Sequence, residues 1–86
     1  PLSSFGLSTW SVKSTALACE NLMLAFRTNG YDTCPMEGFD AHRVKKAMNL
    51  SRNAEIVMIV GAGKRAEGGL YGPRVRFARE QFLKTL

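Results

Sequence analysis

The sequence predicts a mixed α/β (α+β) chain in which one long helix precedes a loop, a short helix, a buried strand and an extended tail. Three observations carry that reading. Residues 10–28 repeat apolar side chains at helical spacing, residues 55–61 form a continuous and largely β-branched apolar run, and glycine and proline gather at the joints between such segments. A chain of 86 residues has room for one small domain at most.

The helix is expected from about Trp10 to Thr28, with Ser8 or Thr9 as its N-cap and Asn29-Gly30 as its stop. Val12, Ala16, Cys19, Leu22, Met23 and Phe26 fall on one face, and Leu17, Ala18, Leu24 and Ala25 fill much of the rest. Lys13, Glu20 and Arg27 stack along the narrow polar stripe that remains. A helix apolar almost all round needs cover on several sides, which so short a chain does not readily supply. Leu17 and Leu24 are therefore expected to be buried against a second chain or a missing segment, as a dimer-interface helix or the central helix of a larger monomer.

Tyr31 to Phe39 reads as a loop. A second helix then runs from Asp40 as N-cap to about Met48, and Phe39 and Val44 are spaced for a hydrophobic staple. The run Glu55 to Gly61 has the pattern of a central strand buried on both faces, closed by Gly61 and Gly63. Ala66 to Gly72 is rich in turn residues. The tail Arg74 to Leu86 reads as extended or partly helical, and alternation in Arg74-Val75-Arg76-Phe77 puts both guanidinium groups on one side of an extended segment.

The net charge of +5 is concentrated late in the chain. Residues 64–86 hold six basic and two acidic side chains, a net of +4. Such a segment suits an anionic partner or a solvated basic surface. Cys19 and Cys34 lie too far apart for a C-x-x-C motif, and one histidine, His42, completes no zinc pattern. Two cysteines without a secretion signal fit a reducing, cytoplasmic setting, with Cys19 buried and Cys34 a loop thiol. No apolar run approaches the roughly 20 residues of a membrane span. The first residue is Pro1, and the opening Pro1-Leu2-Ser3-Ser4 has no signal-like core, which suggests a fragment or a processed product.

Gly61-Ala62-Gly63-Lys64-Arg65 is not a phosphate-binding P-loop, because Met58 and Arg65 occupy positions that need glycine and Ser or Thr. Gly61, Gly63 and Ala66 fit a relaxed dinucleotide pattern, but Gly68-Gly69 breaks the helix that should follow. Cys34-Pro35-Met36-Glu37-Gly38-Phe39-Asp40 is more unusual. Proline stiffens the approach, and a glycine there either turns the chain before the N-cap or lets a ligand come close to the backbone.

The order of these segments, with Gly30-Tyr31-Asp32-Thr33-Cys34-Pro35-Met36-Glu37-Gly38-Phe39-Asp40 at its centre and Gly72-Pro73-Arg74-Val75-Arg76 near its end, resembles the C-terminal half of FMN-dependent nitroreductases from about Trp10 to Phe77. That resemblance implies residues 1–86 to be a partial nitroreductase-like domain whose N-terminal half is absent. It implies that Pro35, Met36, Glu37 and Gly38 lie against the isoalloxazine ring, with backbone N–H groups around Glu37 and Gly38 facing its N5 and O4 edge. Arg74 and Arg76 would grip the FMN phosphate, a role suited to planar guanidinium forks.

The family's N-terminal Arg-x-x-x-Arg-type segment and asparagine-containing loop have no counterpart here, so the implied site is incomplete and the segment alone is expected to be inactive. By the same resemblance the parent is a homodimer with two FMN sites at its interface. NAD(P)H reduces the flavin, which then reduces a nitroaromatic, quinone or similar acceptor. No side chain has the setting of a general acid or base, so none is singled out as catalytic. Two alternatives are a small basic module for RNA or another polyanion, and a structural half that pairs with a separate flavin-binding chain.

Overall fold

The computed structural model describes residues 4–86, and side chains from residue 6 onward. Residues 1–3, on which most of the reading of the opening Pro1 to Ser4 rests, lie outside the described residues. Four main elements follow in order: helix α1 (Ser4–Thr28), strand β1 (Asp32–Met36), helix α2 (Ala41–Ala47) and strand β2 (Ile59–Gly63), with a short 3₁₀ turn at Arg79–Gln81 in the tail.

Helix α1 begins upstream of the expected cap, so Ser8 and Thr9 are interior residues. Polar side chains in this stretch are accommodated within the helix: the Ser11 hydroxyl donates to the Leu7 carbonyl at 2.8 Å. The stop is as expected, and its mechanism is visible. Gly30 adopts φ +85°, its N–H donates to Arg27 O at 3.1 Å, and the Tyr31 N–H donates to Phe26 O at 3.0 Å. This is a Schellman ending, and its usual hydrophobic contact is made by the Phe26 and Tyr31 rings, edge to face at 6.2 Å.

Asp40 caps α2 as expected, its carboxylate accepting from the N–H groups of His42 (3.0 Å) and Arg43 (3.3 Å). The helix closes with Asn49 at φ +55°, the left-handed position that asparagine tolerates, while Leu50 N–H donates to Lys45 O at 2.8 Å. Phe39 and Val44 are both half-buried.

The segment expected to be a loop from Tyr31 to Phe39 contains β1, which pairs antiparallel with β2 from Asp32↔Gly63 to Met36↔Ile59. Pro35 escapes notice as a strand residue because it cannot donate. It is tolerated because it falls on a non-hydrogen-bonded pair, Pro35↔Val60, and therefore so does Thr33↔Ala62. Cys34 is accordingly an exposed strand thiol, not a loop thiol, and Cys19 is half-buried. The second strand lies later than its apolar run suggested. Gly61 and Gly63 are inside it, and residues 55–58 precede it. A strand buried on both faces needs neighbours and cover that this chain provides on one side only, so no β2 residue is buried. The tail has no regular structure except the 3₁₀ turn at Arg79–Gln81.

Helix α1 lies against both strands. Its half-buried positions include Val12, Ala16, Cys19, Met23 and Phe26, the face expected from the sequence; Leu22 on its flank stays exposed. The opposite face is bare: Trp10 is 60%, Leu17 71% and Leu24 55% exposed, so the expected burial of Leu17 and Leu24 does not occur within this chain. No described residue is fully buried. The accessible surface is 8100 Å², whereas a compact monomer of this mass exposes roughly 5,000 Å². The radius of gyration is 16.8 Å against about 12 Å for a compact domain of this length. The excess surface is that of a fold lacking its cover.

Candidate functional site

Strand β1 carries Pro35 and Met36 to its end and releases the chain into Glu37 and Gly38, after which Asp40 starts α2. The loop is thus held by a ladder on one side and a capped helix on the other. Met36, Glu37, Gly38, Phe39 and Ile59 surround a hollow of about 360 Å³. Among the described residues nothing accepts a hydrogen bond from the N–H groups of Glu37 or Gly38. A methyl group built on Gly38 would meet no atom of this chain within 4 Å. The chain's own packing therefore does not demand glycine there. The Glu37 side chain is exposed and makes no ion pair among the described residues, which agrees with a role through its backbone.

Arg74 and Arg76 lie in the exposed, irregular tail. Arg76 donates from Nη1 to the carbonyl of Val75 at 2.9 Å, and neither arginine lines the hollow at Met36 to Phe39. The structure thus brings Pro35, Met36, Glu37 and Gly38 together and leaves the two arginines apart from them. His42 joins no metal-binding group, since no cluster of potential metal ligands occurs among the described residues. Gly61 and Gly63 lie within β2, and an irregular segment follows rather than a helix, so neither nucleotide-loop reading holds. Among the described residues no helix is long and apolar enough to cross a membrane.

One constellation has no counterpart in the sequence patterns. Asp32, at the start of β1, accepts from Arg65 Nε just beyond β2 and from Arg27 Nη1 in the last turn of α1 at 3.2 Å. The Arg65 hydrogen bond, assisted by the charges of Arg65 and Arg27, holds the Asp32 carboxyl below its ordinary range. The Arg65 guanidinium is shifted upward by the same hydrogen bond. Asp32 and Arg65 are 33 residues apart, and no periodicity links them. Together with Met23, Leu24 and Lys64 they border a second hollow of about 580 Å³, larger than the one at Gly38.

Residues 6–64 match the model of the nitroreductase family. The chain belongs to the nitroreductase family. It is 44% identical over 55 residues to protein DrgA of Synechocystis, covering 64% of this chain and 26% of DrgA. It is 39% identical over 54 residues to MhqN of Bacillus subtilis, whose name places it provisionally among NAD(P)H nitroreductases, covering 63% of this chain and 26% of MhqN. A crystal structure from Staphylococcus epidermidis, named provisionally as an NAD(P)H:FMN oxidoreductase, superposes with a TM-score of 0.87 at 26% identity, covering 99% of this chain and 39% of that one. The fold is therefore a partial nitroreductase-like α+β fold, and the chain spans about a quarter of the length of the two curated relatives. The Pro35 to Gly38 segment falls inside the family match, and Arg74 and Arg76 fall beyond it.

Proposed function

We propose that this chain supplies part of the FMN site of an NAD(P)H-dependent oxidoreductase of nitroreductase type, acting on nitroaromatics, quinones or similar acceptors. The observation that carries the reading is the pair of unpartnered N–H groups at Glu37 and Gly38, beside a hollow, inside the segment that matches the family. Such donors fit the acceptor-rich edge of a flavin, and the bare surface at Gly38 leaves room for a ring to approach. Bound FMN would supply the two-electron chemistry that links NAD(P)H to the acceptor.

The chain's own residues would bind and orient. Pro35 and Met36 present the loop, Glu37 and Gly38 donate from their backbone and favour negative charge at the flavin edge, and Arg74 and Arg76 hold the phosphate by charge-assisted hydrogen bonds. The arginines would reach it in the assembled protein, a homodimer of the parent, where residues 1–86 form the later part of one domain. The bare face of α1 supports such assembly. The family match lends no support to the alternative of a basic module for RNA or another polyanion.

Visible spectroscopy of the purified intact protein with FMN, followed by NAD(P)H oxidation with a nitroaromatic, tests the reading. Flavin absorption at one FMN per chain and acceptor-dependent turnover are expected. Absence of bound flavin in the correctly assembled protein would end the proposal.

A further inference from the structure

Which feature of this sequence fixes the alignment of β1 on β2 is not obvious from the strands. Each is five residues long, β1 contains a proline, and β2 reads Ile59-Val60-Gly61-Ala62-Gly63. Glycine-rich strands specify register poorly, because few side chains lose by sliding. A slip of two residues would keep Pro35 on a non-hydrogen-bonded pair and move the end of β1 by about 7 Å along the sheet. The Pro35 to Gly38 segment would move with it.

The Asp32 triad supplies what the strands lack. Asp32 stands opposite Gly63, which has no side chain to intervene, and a methyl there would meet nothing within 4 Å. Arg65, two residues further on, reaches back across that gap to Asp32 Oδ2, and Arg27 reaches the other oxygen from α1. Both carboxylate oxygens are thus engaged by cations from two different elements. Ion pairs as exposed as these contribute little to total stability. Choice of register needs only a difference between two pairings of otherwise similar free energy.

We propose that Asp32, with Arg65 and Arg27, is a positioning residue that locks the register of β1 on β2 and so sets the loop Pro35 to Gly38 for its ligand. The inference rests on the FMN reading only for the identity of that ligand. The test uses the intact protein with Cys19 and Cys34 replaced by serine and with Thr33→Cys and Ala62→Cys introduced, a directly opposed non-hydrogen-bonded pair whose side chains stand close. Oxidation should cross-link it nearly completely with Asp32 present, several-fold less with Asp32→Asn, and again well with Asp32→Glu. Equal yields in all three overturn the proposal.

The second readout is FMN affinity without the engineered cysteines. If the correct register drops to a tenth of the population, Asp32→Asn weakens FMN about tenfold, and adding the oxidised Thr33→Cys and Ala62→Cys pair to that variant restores it. Affinity that stays low in the cross-linked Asp32→Asn protein also overturns the proposal, because the lock would then act on something other than register. Failure of every protein, unmutated included, to bind FMN would sink the flavin reading instead, and the cross-linking yields would still decide the register.

Discussion

Replacing Leu17 by alanine or aspartate measures how much of the helix α1 surface is covered in the assembled protein. Within this chain Leu17 is 71% exposed. Fully burying a leucine side chain contributes about 1.5–3 kcal/mol, so covering what this chain leaves bare is worth roughly 1–2 kcal/mol. Leu17→Ala should destabilise the intact protein by at least that amount, and more if the site does not collapse around the gap. Leu17→Asp should cost several kcal/mol or abolish assembly, since it would bury an unpaired carboxylate. Urea denaturation with size-exclusion chromatography at several concentrations gives both numbers and the assembly state. Changes within about 0.5 kcal/mol for both variants, the range of ordinary surface substitutions, would show the face solvated in the native protein and refute the inference from uncovered surface.

Gly38→Val should lower flavin affinity while leaving the melting temperature nearly unchanged, because no atom of this chain opposes the added side chain; flavin content and thermal melts on one sample decide it, and unaltered flavin binding removes the glycine from the site. Arg76→Ala should weaken FMN by about tenfold to a hundredfold, the loss of one charge-assisted contact, and leave riboflavin binding unchanged. Equal losses for the two flavins would mean that the arginine acts through folding. The Asp32 carboxyl is held below its ordinary 3.8 by Arg65, so the stabilisation it gives is present above that value and is lost as pH falls through the lower, folded-state value. The small melting-temperature gap between the unmutated protein and Asp32→Asn should therefore be constant from about pH 5 to 8, begin to narrow below about pH 4, and close only as pH falls through the lower, folded-state value. A gap that does not narrow at all below about pH 4 would refute the assignment.

Features governed by neighbours in sequence are legible in the sequence itself. The α1 stop at Gly30 and the Asp40 cap follow from local backbone chemistry, and the inner face of α1 follows from helical period. Features governed by distant partners are not. β1 hides behind Pro35 because its ladder partner begins more than 20 residues later, and β2 starts at Ile59 rather than Glu55 because β1 is only five residues long. The Asp32–Arg65 pair has no sequence signature at all. At the candidate site, the segment Pro35 to Gly38 can be read because its unusual residues are contiguous. The phosphate-gripping role of Arg74 and Arg76 depends on where a tail comes to rest, and a tail without a partner takes no such position from its own sequence.

The placement of Pro35 has a consequence for how this segment behaves outside its assembly. On a non-hydrogen-bonded pair, a residue's N–H points away from the neighbouring strand, so β1 offers its outer edge the donor of Thr33 and none from Pro35. The outer edge of β2 keeps the donors of both Val60 and Ala62. The sheet is therefore asymmetric toward newcomers, one rim blunted and the other open to strand addition. Liberated by proteolysis or made alone, the segment would be expected to self-associate through the rim of β2, and a proline at Val60 or Ala62 would suppress such growth without removing a bond of the native β1–β2 ladder.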